Sequence, residues 1–144
     1  MKRGITVLCI LFLLIVSPIL AQDWTQWRGP NRDGALASFT EPRTWPEKHT
    51  QRWKVEVGTG YATPLVAGDK IYMFSRQGEN EVMSAIDAAS GKQLWQGGYP
   101  ATFTMQSAAA RHGPGPKSTP VLSRGKLYSI GMTGVVTALD AATG

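Results

Sequence analysis

Cysteine is almost missing from this 144-residue chain; the single one is Cys9, inside the first apolar run. Beyond Ala21 there is no thiol, which excludes a disulfide framework, a thiolate metal site and a cysteine nucleophile. Cys9 also sits directly behind bulky Leu8, a poor setting for lipid attachment. Charge is sparse as well, at 17% of residues, which sets the chain apart from highly charged disordered proteins. The net charge of +5 is not laid out as a basic stripe with interleaved aromatics, so nucleic acid is not an expected partner. Carboxylates are missing altogether between Asp87 and Asp140, and no Asp-x-Asp pair occurs anywhere. A Ca²⁺ ion needs six or more oxygens, usually including carboxylates, so no metal site and no catalytic residue is expected in this chain.

What is present begins with an address. Lys2 and Arg3 precede an apolar run from Ile5 to Val16, followed by Ser17-Pro18-Ile19-Leu20-Ala21. A basic start, a short apolar run and a small residue before a polar stretch read as a secretory signal peptide over residues 1–21. The run is shorter than the roughly 20 residues a membrane span needs, and no long apolar stretch follows Ala21. The expected location is periplasmic or secreted, with no membrane span after signal cleavage. Loss of Lys2 and Arg3 lowers the charge from +5 to +3.

The rest of the chain repeats itself. Thr63-Pro64-Leu65-Val66-Ala67-Gly68-Asp69-Lys70-Ile71-Tyr72 recurs 56 residues later as Thr119-Pro120-Val121-Leu122-Ser123-Arg124-Gly125-Lys126-Leu127-Tyr128. Ser84-Ala85-Ile86-Asp87-Ala88-Ala89-Ser90-Gly91 recurs 53 residues later as Thr137-Ala138-Leu139-Asp140-Ala141-Ala142-Thr143-Gly144. The three extra residues of the first copy fall in the polar stretch Arg76 to Glu81. In that copy the pattern predicts strands over Thr63–Ala67, Ile71–Ser75, Val82–Ile86 and Gln93–Gln96, with a loop over Gln77–Asn80. The middle strands are apolar on both parities, Ile71 and Met73 one way and Tyr72 and Phe74 the other, which points to a sheet buried on both faces. Four short strands recurring about every 50 residues form a propeller blade packed between neighbours. Asp87 and Asp140 each precede a glycine, Gly91 or Gly144, by four positions and read as turn builders. Trp95, four residues after Gly91, is a flat side chain suited to dock between blades.

These motifs resemble the quinoprotein-like (PQQ-like) β-propeller repeats of secreted bacterial proteins. The resemblance rests on Ala-[Ile/Leu]-Asp-Ala-Ala-[Ser/Thr]-Gly, on Lys92-Gln93-Leu94-Trp95, and on the Thr-Pro start of each copy. The stretch Asp23 to Gly34 resembles the opening of such proteins. It implies an all-β fold, a partial propeller of four-stranded antiparallel blades with about one and a half blades present. Residues 22–57 form an N-terminal lead-in, 58–98 the first blade, and 99–144 a long loop with an incomplete second blade. A closed ring typically has 4–8 blades, so the chain is expected to be the N-terminal part of a larger propeller with an open blade face. The family includes quinone-dependent dehydrogenases and BamB, the scaffold of outer-membrane β-barrel assembly. The resemblance therefore implies a binding or scaffold module taking a protein or small-molecule ligand. The alternative is the N-terminal part of a dehydrogenase, whose pyrroloquinoline quinone and Ca²⁺ would be held only in the full-length propeller.

One segment carries a candidate site. Gln96 to Lys117 joins the repeats over 22 residues, long for a compact fold. Arg111, His112, Lys117 and Ser118 in and beside it form a candidate anion or ligand loop, with Gly113 and Gly115 letting backbone amides approach. A solvated surface loop stiffened by glycine and proline is the other reading. Trp24, Trp27, Trp45 and Trp53 in the lead-in either stack on a ligand or bury the segment against the ring.

Overall fold

A computed structural model describes residues 22–37 and 39–144. The signal-peptide assignment and Cys9 lie outside the described residues. Two antiparallel sheets follow one another. The first is a four-stranded meander of β1 (Leu65–Ala67), β2 (Lys70–Gln77), β3 (Asn80–Asp87) and β4 (Gln93–Pro100). The second contains β5 (Val121–Ser123), β6 (Lys126–Ile130) and β7 (Val136–Asp140), hydrogen-bonded in that order. The register preserves the repeat: Tyr72 faces Ala85 across the first sheet, and Tyr128 faces Ala138 across the second.

Two strand expectations are corrected. The polar stretch from Gln77 to Asn80 is not a four-residue loop. β2 and β3 run on to pair Gln77 with Asn80, leaving only Gly78-Glu79 at the tip. Arg76 and Glu81 consequently lie opposite each other inside strands, and both are buried. The three extra residues of the first repeat thus belong to a longer hairpin. Likewise β4 continues to Pro100, because Tyr99 and Pro100 still pair with Glu81 and Asn80. The connection between the repeats is therefore Ala101–Pro120, with a short 3-10 helix at Ser107–His112.

The turn after β3 and the turn after β7 are built alike. The Asp87 carboxylate accepts the Ser90 amide at 2.7 Å, and the Asp87 carbonyl accepts the Gly91 amide at 2.8 Å. The Asp140 carboxylate accepts the amides of Ala142 at 2.9 Å and Thr143 at 3.1 Å, and its carbonyl accepts Gly144 at 2.8 Å. Each turn ends at a glycine in the left-handed region, with φ of 74° at Gly91 and 80° at Gly144.

A tryptophan from the preceding segment lies on each of these glycines. The Trp95 indole N–H donates to the Ala141 carbonyl at 3.2 Å, and a Cβ on Gly144 would come within 2.8 Å of its ring. Trp53 does the same one repeat earlier. It donates to the Ala88 carbonyl at 3.1 Å, and a Cβ on Gly91 would lie 2.7 Å from its ring. Gln51-Arg52-Trp53 is thus the structural counterpart of Gln93-Leu94-Trp95.

The lead-in is stitched to both sheets. Trp24 exchanges two backbone hydrogen bonds with Val66 of β1, and the Thr25 carbonyl accepts the Leu122 amide of β5 at 2.8 Å. Trp24 and Trp53 are structural in this way. Trp27 and Trp45 are exposed, one beneath the Arg28 guanidinium and the other stacked on Phe39 at 6.3 Å.

The core lies between the sheets. Leu65, Tyr72, Phe74, Met83 and Ala85 of the first meet Leu127 and Ala141 of the second, with Trp95, Leu122 and Leu139 at the margin. Full burial of a side chain such as Phe74 or Leu127 stabilises by about 1.5–3 kcal/mol. Ser84 and Ile86, on the opposite face of the first sheet, are buried too. The two-faced burial expected from β2 and β3 therefore holds for the first sheet. In the second it does not: β6 alternates Leu127 and Ser129 inward with Lys126, Tyr128 and Ile130 outward.

Trp95→Ala is expected to lower unfolding stability by about 2 kcal/mol, less than for a fully buried tryptophan, measured by chemical denaturation. The carboxyls of Asp87 and Asp140 are held below the ordinary value. The Ser90 hydroxyl and amide do this for Asp87, and the Ala142 and Thr143 amides for Asp140. Their contribution is present above the ordinary carboxylate range and is lost as pH falls through the depressed values, below about 4. Asp140→Asn should flatten that acid limb in thermal melts recorded against pH.

Candidate functional site

The loop proposed from sequence splits into two pairs of residues with different work. Arg111 and His112 end the 3-10 helix and line a surface cleft of ≈ 380 Å³. Gly58 to Tyr61, ahead of β1, form its other wall, and Gly113, Pro114 and Gly115 complete it. Arg111 Nε donates to His112 Nε2 at 3.1 Å. The His112 ring meets Tyr61 edge-on at 6.4 Å.

Lys117 and Ser118 hold the loop in place. Lys117 Nζ donates to the carbonyls of His112 at 2.6 Å and Gly113 at 3.0 Å, and rests 4.2 Å from the centre of the Tyr61 ring. The Ser118 hydroxyl donates to the Ile130 carbonyl of β6. Close backbone packing locks the wall: Tyr61 N–H donates to the Pro116 carbonyl at 2.8 Å, and a Cβ on Gly115 would run into the Thr59 carbonyl. Among the cleft residues there is no carboxylate.

A second constellation, between the sheets, was hidden in the misassigned loop. Glu81 is 0% exposed, yet both its oxygens are bonded. Oε1 accepts the Met132 amide of the β6–β7 connection at 2.7 Å, and Oε2 accepts the Tyr99 hydroxyl at 2.7 Å. Burial first, and then the bond to Glu81, push the Tyr99 phenol well above its usual value. Arg76, opposite Glu81, turns away to donate to the Ala101 carbonyl at 3.0 Å, with the Phe103 ring 5.1 Å beneath it. The adjoining enclosed cavity of ≈ 50 Å³ is far smaller than the roughly 300 Å³ of small-molecule pockets. Glu81 is an interface pin rather than a ligand group. Its sequence signal was the strict alternation Glu81, Met83, Ala85, which places it on the core face of β3.

A third feature is the bare side of the second sheet. Tyr128, Ile130 and Val136 are 42%, 48% and 72% exposed. Their repeat counterparts Tyr72, Phe74 and Met83 are 4%, 2% and 2% exposed, because the second sheet covers them. The Tyr72 hydroxyl spends its donor on the Ala141 carbonyl at 3.1 Å.

Among the described residues no helix is long and apolar enough to cross a membrane. A family model described as outer membrane protein assembly factor BamB matches residues 44–112 and again residues 78–144. Comparison with curated proteins found no match.

Glu81→Ala leaves the Met132 amide and the Tyr99 hydroxyl without their acceptor. It is expected to cost about 1–3 kcal/mol in urea unfolding, as for partly buried donors left unpaired, whereas Glu81→Gln keeps an acceptor and costs less.

Proposed function

The chain belongs to the family described as outer membrane protein assembly factor BamB, and from that premise we propose that it serves outside the cytoplasm as a β-propeller binding or scaffold module. The observation that carries this reading is the bare sheet face. Val121, Tyr128, Ile130, Val136 and Ala138 stand where the first repeat has Leu65, Tyr72, Phe74, Met83 and Ala85, the residues that receive the next blade. The occupant that fits is a further blade of the same repeat. It would bring an Asp-Ala-Ala-[Ser/Thr]-Gly turn whose alanine carbonyl takes the Tyr128 hydroxyl, as Ala141 takes that of Tyr72. The family's description as an assembly factor supports a protein-handling role and a periplasmic location.

The quinone-dependent alternative finds no donor set among the described residues. Among the described residues no three His, Cys, Asp or Glu side chains come together as a metal site. The buried carboxylate, Glu81, has both oxygens engaged. These donors do not fit a Ca²⁺ and quinone pair.

Titration of the full chain with pyrroloquinoline quinone and Ca²⁺ is expected to leave no retained quinone absorbance. Uptake accompanied by dye reduction would overturn the scaffold reading. A further repeat appended to the full chain should protect Tyr128 and Val136 in hydroxyl-radical footprinting, and Val136→Lys should abolish that protection. An unchanged footprint would remove the blade-docking assignment.

A further inference from the structure

We infer that the cleft between Gly58–Tyr61 and Arg111–Gly115 is a carboxylate-recognition site for an acidic peptide segment. It is a separate surface from the bare sheet face, so it stands or falls independently of the scaffold reading.

Four observations carry it. The first is charge. The Arg111 side chain uses Nε on His112, which leaves its two terminal amino groups as the fork that matches a carboxylate. His112 lines the cleft beside it. The second is the lining: no carboxylate lines the cleft, and from Ala88 to Leu139 the chain carries Lys92, Arg111, Lys117, Arg124 and Lys126 and no acidic residue.

The third is shape. At ≈ 380 Å³ the cleft falls within the range of about 300–1,000 Å³ of ligand pockets. That is more room than a lone inorganic anion fills. Tyr61, 62% exposed, adds an aromatic face for the apolar part of a peptide. The fourth is preorganisation. Lys117 clamps the carbonyls of His112 and Gly113 while lying on Tyr61, so both walls are fixed relative to each other. A fixed, half-open cationic site binds with less ordering cost than a mobile loop.

The test is isothermal titration of the full chain with the N-acetylated, C-amidated peptides Glu-Phe-Glu and Gln-Phe-Gln, and with inorganic phosphate, at low and at physiological ionic strength. The Glu peptide is expected to bind, and more weakly as salt rises. The Gln peptide and Arg111→Ala should each reduce affinity about tenfold, the scale of one charge-assisted hydrogen-bonded contact. Arg111→Lys should restore part of it, and Arg43→Ala, in the exposed lead-in, should change nothing. Arg111 is exposed, so the thermal melt of Arg111→Ala should match that of the unsubstituted chain. Equal binding of the Gln peptide, an unaffected Arg111→Ala, or phosphate binding as tightly as the peptide would overturn the proposal.

Discussion

The structure depends on one contact made twice: a tryptophan ring lying on the glycine that ends a turn. Each component has a necessary role. The aspartate at the head of the turn gathers the following amides, which turns the next carbonyl outward. That carbonyl takes the indole N–H, from Trp53 at Ala88 and from Trp95 at Ala141. The ring can approach because the glycine has no Cβ and holds a left-handed φ. The contact therefore ties each segment to the next and sets how consecutive blades sit together.

Elsewhere, repeat-equivalent residues touch one another. Thr63 N–H donates to the hydroxyl of Thr119, its own counterpart 56 residues on. Tyr61 lies under Lys117, again its counterpart. Here the two segments ahead of β1 and β5 approach too closely for a side chain at Gly115, whose Cβ would meet the Thr59 carbonyl. Glu81 adds a polar tie in an otherwise apolar interface. A buried carboxylate is tolerated there because each oxygen has a donor, and removing either donor would expose the cost of its desolvation. The cleft opens beside this crowded region, between Gly58–Tyr61 and the end of the 3-10 helix.

Much of the fold was legible before any coordinates. The 56- and 53-residue offsets placed both sheets, both turns and Trp95 correctly, because turn chemistry and strand alternation are local and leave local traces. The hairpin tip was misread for a physical reason. Arg76, Gln77, Glu79 and Glu81 look like a solvated loop by composition, yet Arg76 and Glu81 find their bonds in Ala101, Tyr99 and Met132. Gln-x-Trp occurs at both Trp53 and Trp95, but the residues around Trp53 lack the strand pattern that marks the repeat, so the pairing of the two has no local signature. In the candidate loop, residue type alone could not separate Arg111 and His112, which line the cleft, from Lys117 and Ser118, which brace it.

By itself the sequence determined the repeat, the all-β blade architecture, the turn-building role of Asp87 and Asp140, and the absence of thiol chemistry beyond Ala21. These follow from spacing, backbone preference and composition, which act within a few residues. Only the tertiary structure decided which polar groups are buried, which of two equivalent sheet faces is covered, and which basic side chains share a cleft. Those outcomes turn on partners tens of residues away. A hydrogen bond from Tyr99 to Glu81, or a second sheet laid over Tyr72 but not over Tyr128, has no local signature to read.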